Sequence, residues 1–150
     1  MDKYSGDFLQ DVFEGKGVVE AGNGDKYTGD MKNYCKSGQG KLVCAAGDMY
    51  EGSFDNDLFA GHGRYVWKNG NVYEGCWKDG RRNGSGVWRG ANGTTFEGTY
   101  KDDRSVGMGT MTWLCGGHYQ VRHAVYTYTY QLLYYTNYYT ILIILTIILV

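Results

Sequence analysis

The run Tyr73-Glu74-Gly75-Cys76-Trp77-Lys78-Asp79-Gly80-Arg81-Arg82-Asn83-Gly84-Ser85-Gly86-Val87-Trp88 decides the fold. It opens with aromatic-x-Gly-x-aromatic, which puts Tyr73, Gly75 and Trp77 on one face of a period-2 strand. A polar stretch follows, then a Gly-x-Gly pair, then a second alternation that carries Trp88. The pattern extends in both directions without a slip. Tyr4, Tyr27, Tyr50, Tyr73, Phe96 and Tyr119 stand 23 residues apart. Gly6, Gly29, Gly52, Gly75 and Gly98 come two positions later, and Phe8, Met31, Phe54, Trp77 and Tyr100 two positions after those. The pairs Gly15/Gly17, Gly38/Gly40, Gly61/Gly63, Gly84/Gly86 and Gly107/Gly109 keep one frame, and Gly24, Gly47, Gly70, Gly93 and Gly116 close the units. A period of about 20 to 50 residues is the mark of a repeat array.

Each unit reads as two short strands with one apolar face. In the second strand Val19, Leu42, Tyr65, Trp88 and Met111 share a slot, with Ala21, Cys44, Trp67, Gly90 and Trp113 two positions on. The glycine between two rings leaves room for an aromatic of the neighbouring strand to lie over the backbone. Asn23-Gly24, Asn69-Gly70 and Asn92-Gly93 predict tight type I′ hairpin turns, which need positive φ at both central residues. The other connection of each unit, such as Lys78 to Asn83, reads as a longer polar loop. The expectation is an all-β protein, an elongated, twisted antiparallel array of β-hairpins with ten or eleven strands. At the usual strand spacing it runs about 50 Å. No unit buries its aromatic face alone, so stability comes from stacking on neighbours.

Tyr73-Glu74-Gly75-Cys76-Trp77-Lys78-Asp79-Gly80 with Gly84-Ser85-Gly86, and Tyr50-Glu51-Gly52-Ser53-Phe54 with Gly61-His62-Gly63, resemble the MORN (membrane occupation and recognition nexus) repeat. Five units in register carry the resemblance: 4–26, 27–49, 50–72, 73–95 and 96–118. It implies a rod-like run of β-hairpins with a groove. It also implies a scaffold, dimerisation module or membrane-apposed element of the kind found in junctophilins, plant phosphatidylinositol phosphate kinases, alsin and radial-spoke head proteins. Phosphoinositide contact is the lipid chemistry the resemblance suggests.

Composition narrows the rest. The chain has 24 glycines, no proline and 16% aromatic residues, 15 of its 150 residues being tyrosine. So much aromatic surface argues against disorder. The glycine argues against a helical bundle, since each costs roughly 1 kcal/mol in a helix interior. A net charge of −1 supplies no global field toward nucleic acid. The start, Met1-Asp2-Lys3-Tyr4-Ser5-Gly6, lacks the basic lead and apolar core of a signal peptide, so folding in the cytoplasm is expected. Cys35, Cys44, Cys76 and Cys115 form no C-x-x-C pair and read as isolated thiols rather than a metal site.

Catalytic chemistry finds no footing. Gly84-Ser85-Gly86-Val87-Trp88-Arg89-Gly90 misses the G-x-G-x-x-G spacing, and every Gly-x-Gly pair leads into a strand rather than a helix. His62, His118 and His123 do not recur in the frame, and the slot of His62 holds Lys16, Gln39, Ser85 and Met108 elsewhere. No catalytic, metal or cofactor site and no small-molecule substrate is expected. Lys32, Lys78 and Lys101 share one slot, with Arg81, Arg82 and Arg104 in the following loop. Stacked, they make a row able to meet anionic headgroups, although Asp55 breaks it and Asp79, Asp102 and Asp103 lie beside it. The edge strands with unpaired backbone groups are the other candidate, for protein partners or a homodimer.

Residues 119–150 depart from the frame, with Val121 and His123 at the slots of glycine and aromatic. Ala124 to Val150 carries no charge. Leu132 to Val150 as a helix would span about 28 Å, close to a bilayer's apolar thickness. The segment reads as a C-terminal membrane anchor behind Arg122, as a mistranslated stretch, or as a β extension. The functional expectation is a non-catalytic MORN-repeat scaffold, cytoskeletal, ciliary or at the cytosolic face of a membrane. The alternatives are a tail-anchored tether with weak phosphoinositide contact and the regulatory fragment of a truncated lipid-kinase-like or methyltransferase-like enzyme.

Overall fold

The computed structural model describes residues 2–113, and the backbone of three further strands, β11 (His118–His123), β12 (Thr129–Thr136) and β13 (Tyr139–Thr146). The reading of 119–150 as an anchor or a mistranslated stretch concerns side chains and segments that lie outside the described residues. Five hairpins fill the repeats: β1 (Lys3–Leu9) with β2 (Val12–Glu20), β3 (Lys26–Lys32) with β4 (Cys35–Val43), and β5 (Met49–Asp55) with β6 (Leu58–Val66). They continue with β7 (Val72–Lys78) and β8 (Arg81–Arg89), then β9 (Thr95–Lys101) and β10 (Arg104–Thr112). Every strand pairs antiparallel with its sequence neighbour, so the sheet keeps chain order and stays open. Among the described residues there is no helix, and therefore none long and apolar enough to cross a membrane.

The register explains the glycine. Gly6, Gly17, Gly29, Gly40, Gly52, Gly63, Gly75, Gly86, Gly98 and Gly109 pair across consecutive strands in one unbroken line. The aromatic residue two before the first glycine of each hairpin, tyrosine in four and Phe96 in the fifth, lies along this line. A Cβ on Gly75 would stand 2.7 Å from the Tyr73 hydroxyl, and one on Gly86 would overlap the same ring. The ring over each odd-strand glycine thus comes from its own strand, while the paired glycine of the next strand is covered by its neighbour. At the glycine between two rings the expected covering by a neighbouring strand's aromatic is therefore not found; it falls on the paired glycine of the next strand instead. A ring needs the space of two missing side chains.

The aromatic face is the core. Tyr27, Met31, Tyr50, Phe54, Tyr73, Trp77, Phe96 and Tyr100 are buried, and Val19, Leu42, Phe59, Tyr65, Trp67 and Trp88 pack around them. Successive hairpins join edge to face: Tyr27 meets Phe54 at 5.1 Å, Tyr50 meets Trp77 at 5.4 Å and Tyr73 meets Tyr100 at 5.1 Å. Such pairs add about 0.5–1.5 kcal/mol each beyond the area they bury. The hydroxyls remain satisfied, Tyr27 donating to the Asp30 carbonyl at 2.7 Å and Tyr73 to that of Cys76 at 3.1 Å.

The turns reverse the expectation. Asn23, Asn69 and Asn92 do not adopt positive φ; only the glycine after each does. These connections are wider loops, closed by the Gly24 N–H donating to the Ala21 carbonyl and the Ala21 N–H to that of Asp25, both at 2.9 Å. The asparagine is there for its side chain: the Oδ1 atoms of Asn23, Asn69 and Asn92 each accept the N–H two residues on, at 3.0 Å. The tight two-residue turns lie at the opposite end, at Gln10-Asp11, Asn33-Tyr34, Asn56-Asp57, Asp79-Gly80 and Asp102-Asp103. Both residues of each have positive φ. Lys78 pairs directly with Arg81, so the expected long loop is absent.

Candidate functional site

That shorter turn changes what the basic residues can do. Because β8 begins at Arg81, Arg82 falls on the aromatic face, opposite Trp77. Its guanidinium lies 5.6 Å from the Tyr73 ring centroid and 5.1 Å from that of Tyr100. Its Nε donates to Asp103 Oδ1 at 3.1 Å and Nη2 to the Asp103 carbonyl at 2.7 Å, while its backbone N–H reaches the same carboxylate at 3.0 Å. Lys36 repeats this arrangement on Asp57, its backbone N–H at 2.9 Å and Nζ at 3.0 Å from Oδ1. Burial pushes the Asp57 carboxyl upward, but those two hydrogen bonds, the Lys36 charge and a hydrogen bond from Cys35 together outweigh it and hold the group below its usual range.

The slot of Arg82 holds Phe13, Lys36, Phe59, Arg82 and Ser105 in successive units, and that of Asp103 holds Asp11, Tyr34, Asp57, Gly80 and Asp103. Junctions between hairpins therefore alternate. Lys36 with Asp57 and Arg82 with Asp103 are ionic. Alternating with them are Phe13 with Tyr34, ring centroids 4.8 Å apart, and Phe59 with Gly80, whose N–H donates to the Phe59 carbonyl at 3.0 Å. Phe13 and Phe59 also stack on Tyr4 and Tyr50, at 3.7 and 3.9 Å. This slot was missed in sequence because it fell in a supposed loop. The dipeptide Asp79-Gly80, a turn signal in its own right, was the clue.

The other proposed contact residues lie on the face away from the rings. Lys32 is exposed and pairs with Cys35; Lys78 pairs with Arg81, and Lys101 with Arg104, all four exposed. The row is broken at Asp55 and Leu58, so Lys32 stands apart from the four cations on β7 to β10. The same face carries a shallow polar groove over the glycine line, edged by Thr28, Lys41, Glu51, His62, Arg64 and Glu74. Its charges alternate, with Lys41 3.9 Å from Glu51 and Arg89 3.8 Å from Glu74. His62 is opposite Cys76 across the strands. Among the described residues no group of His, Cys, Asp and Glu is placed to hold a metal, and Cys35, Cys44 and Cys76 are free thiols.

The described sheet ends at β1, and there the stacking is unfinished. Phe8 is 59% exposed and Leu9 62%, whereas Met31, Phe54, Trp77 and Tyr100 in the slot of Phe8 are no more than 7% exposed. Asp11, in the slot of Asp57 and Asp103, is exposed, and no described residue bonds its carboxylate.

Fold and site together define an all-β repeat protein built of stacked β-hairpins. The MORN repeat model matches residues 4–26, 27–49, 50–72, 73–95 and 96–113, and the chain belongs to the MORN repeat family. A search of curated proteins found no match to the chain.

Proposed function

We propose that this chain is a non-catalytic scaffold that binds protein through the open edge at β1. The exposure of Phe8, in a slot that is buried in every following hairpin, carries the reading. β1 offers a row of backbone donors and acceptors along its outer side, and strand addition at such an edge is a general mode of recognition. Covering what remains exposed of Phe8 is worth about 1–2 kcal/mol. A cytoplasmic setting on a cytoskeletal or ciliary structure, or at the cytosolic face of a membrane, suits such a scaffold. The test places a benzophenone amino acid at Leu9 and, as a control, at exposed Met108, and irradiates the native cells. A protein adduct is expected from position 9 alone and is lost with Phe8→Ser. No adduct at position 9, or the same adduct from both sites, overturns the reading.

A second reading has its own support. Lys78, Arg81, Lys101 and Arg104 are exposed on adjacent strands of one face, a cluster suited to anionic headgroups at about 1 kcal/mol per charge. Flotation with phosphatidylserine vesicles tests it. Binding unchanged after all four become Gln counts against lipid contact through this face.

A further inference from the structure

The alternation of junctions says more about what fits at β1. We infer that this edge accepts a partner strand carrying Lys or Arg, four residues before a glycine and six before an apolar residue. The inference rests on the reading that β1 pairs with protein, and adds the chemistry of the partner.

The template is inside the molecule. Wherever a hairpin of the Asp57 kind follows another, the preceding strand supplies a cation. β4 reads Lys36, then Gly40 and Leu42; β8 reads Arg82, then Gly86 and Trp88. In both, the aspartate N–H donates back to the cation's carbonyl, Asp57 to Lys36 at 3.0 Å and Asp103 to Arg82 at 3.1 Å. The carboxylate takes the backbone N–H and the side chain of the same residue. The strand register is fixed as well. Gly38, Gly40 and Leu42 face Phe54, Gly52 and Tyr50, and Gly84 and Gly86 face Tyr100 and Gly98.

The β1–β2 hairpin is of this same kind. Asp11 holds the aspartate slot at a φ of 63°, beside 68° for both Asp57 and Asp103. Tyr4, Gly6 and Phe8 hold the slots of Tyr50, Gly52 and Phe54. An incoming strand in the template register sets its two glycines against Phe8 and Gly6 and its apolar residue against Tyr4. Its cation then falls on Asp11. Hairpins of the Tyr34 or Gly80 kind lack the aspartate and take a phenylalanine instead, so the edge discriminates between two kinds of strand by charge. β10, which has Ser105 at the cation slot, is paired on both sides, by β9 and β11, so it is not an edge open to Asp11 of a second copy.

The test uses the full chain and two labelled peptides, one with the sequence of β4, Cys35–Val43, and its Lys36→Ser counterpart, read by fluorescence anisotropy. The lysine peptide is expected to bind about fivefold or more tightly than the serine peptide, through charge-assisted bonds to one carboxylate. That difference disappears in the Asp11→Asn chain. Asparagine tolerates positive φ, so the turn is retained, and circular dichroism checks it. Equal binding of both peptides, a difference that persists in Asp11→Asn, or no binding up to the peptides' solubility overturns the inference. If benzophenone at position 9 still captures a protein while the peptides bind alike, strand pairing stands and the requirement for a cation falls.

Discussion

At the scale of the residue, the glycines divide by what surrounds them rather than by what they permit. Gly86 has an ordinary extended backbone, yet any side chain there collides with Tyr73, whose ring is wholly buried. Gly80 is the converse. It has a φ of 75°, but the nearest atom to an added Cβ is a Leu58 methyl at an ordinary 3.8 Å. Gly86→Ala must push the tyrosine out of its seat, at a cost of about 1–3 kcal/mol or more. Gly80→Asn keeps a residue that tolerates positive φ and should cost less than about 1 kcal/mol. Urea midpoints of the two variants separate these effects. A loss in Gly86→Ala no larger than in Gly80→Asn would contradict the steric account. The tyrosine hydroxyl is a smaller matter, as Phe96 shows by filling the same slot without one.

Elements are where the sequence was most and least legible. Strand phase and the apolar face followed directly from Tyr-x-Gly-x-aromatic, because period 2 admits no other reading over five units. The turns did not follow, because Asn-Gly serves two chemistries. At 23–24, 69–70 and 92–93 the asparagine bonds the backbone through its side chain and leaves positive φ to glycine alone, so the strongest hairpin dipeptide marks the wider loop. That exchange moved Arg82 from a solvated row to the aromatic face, and with it went the candidate site. Among the described loops one departs from the others: Ala46 stands where Asn23, Asn69 and Asn92 stand. Ala46→Asn should supply the missing acceptor for the Asp48 N–H and stabilise the chain by about 0.5–1.5 kcal/mol. In a chain of this size that raises Tm by roughly 1–6 °C. An unchanged or lowered Tm would show that the side-chain bond is not what selects asparagine here.

For the whole molecule, a line of buried phenols sets a limit on alkaline stability. Burial pushes the Tyr50 hydroxyl up to about 12; burial also raises that of Tyr27, helped by Asp30 and Asp57, and that of Tyr73, helped by Tyr100 and Cys76. In the unfolded chain each would ionise near pH 10. Above that pH the folded state holds protons that the unfolded state has released, so stability falls as pH rises. Below it, both states keep these phenols neutral and their contribution is fully present. The three tyrosines occupy one slot in consecutive hairpins, and each hairpin leans on the next through the Tyr27–Phe54, Tyr50–Trp77 and Tyr73–Tyr100 contacts, so their ionisation should accompany cooperative unfolding. Absorbance at about 295 nm should therefore show delayed phenolate formation that coincides with loss of the far-ultraviolet sheet signal. Tyr73→Phe separates this linkage from general alkaline damage. It sacrifices a hydrogen bond at neutral pH, but removes one of the three linked groups, so its stability should fall less steeply above pH 10 than that of the parent. Parallel slopes in the two proteins would mean that the tyrosine line does not govern the alkaline limit.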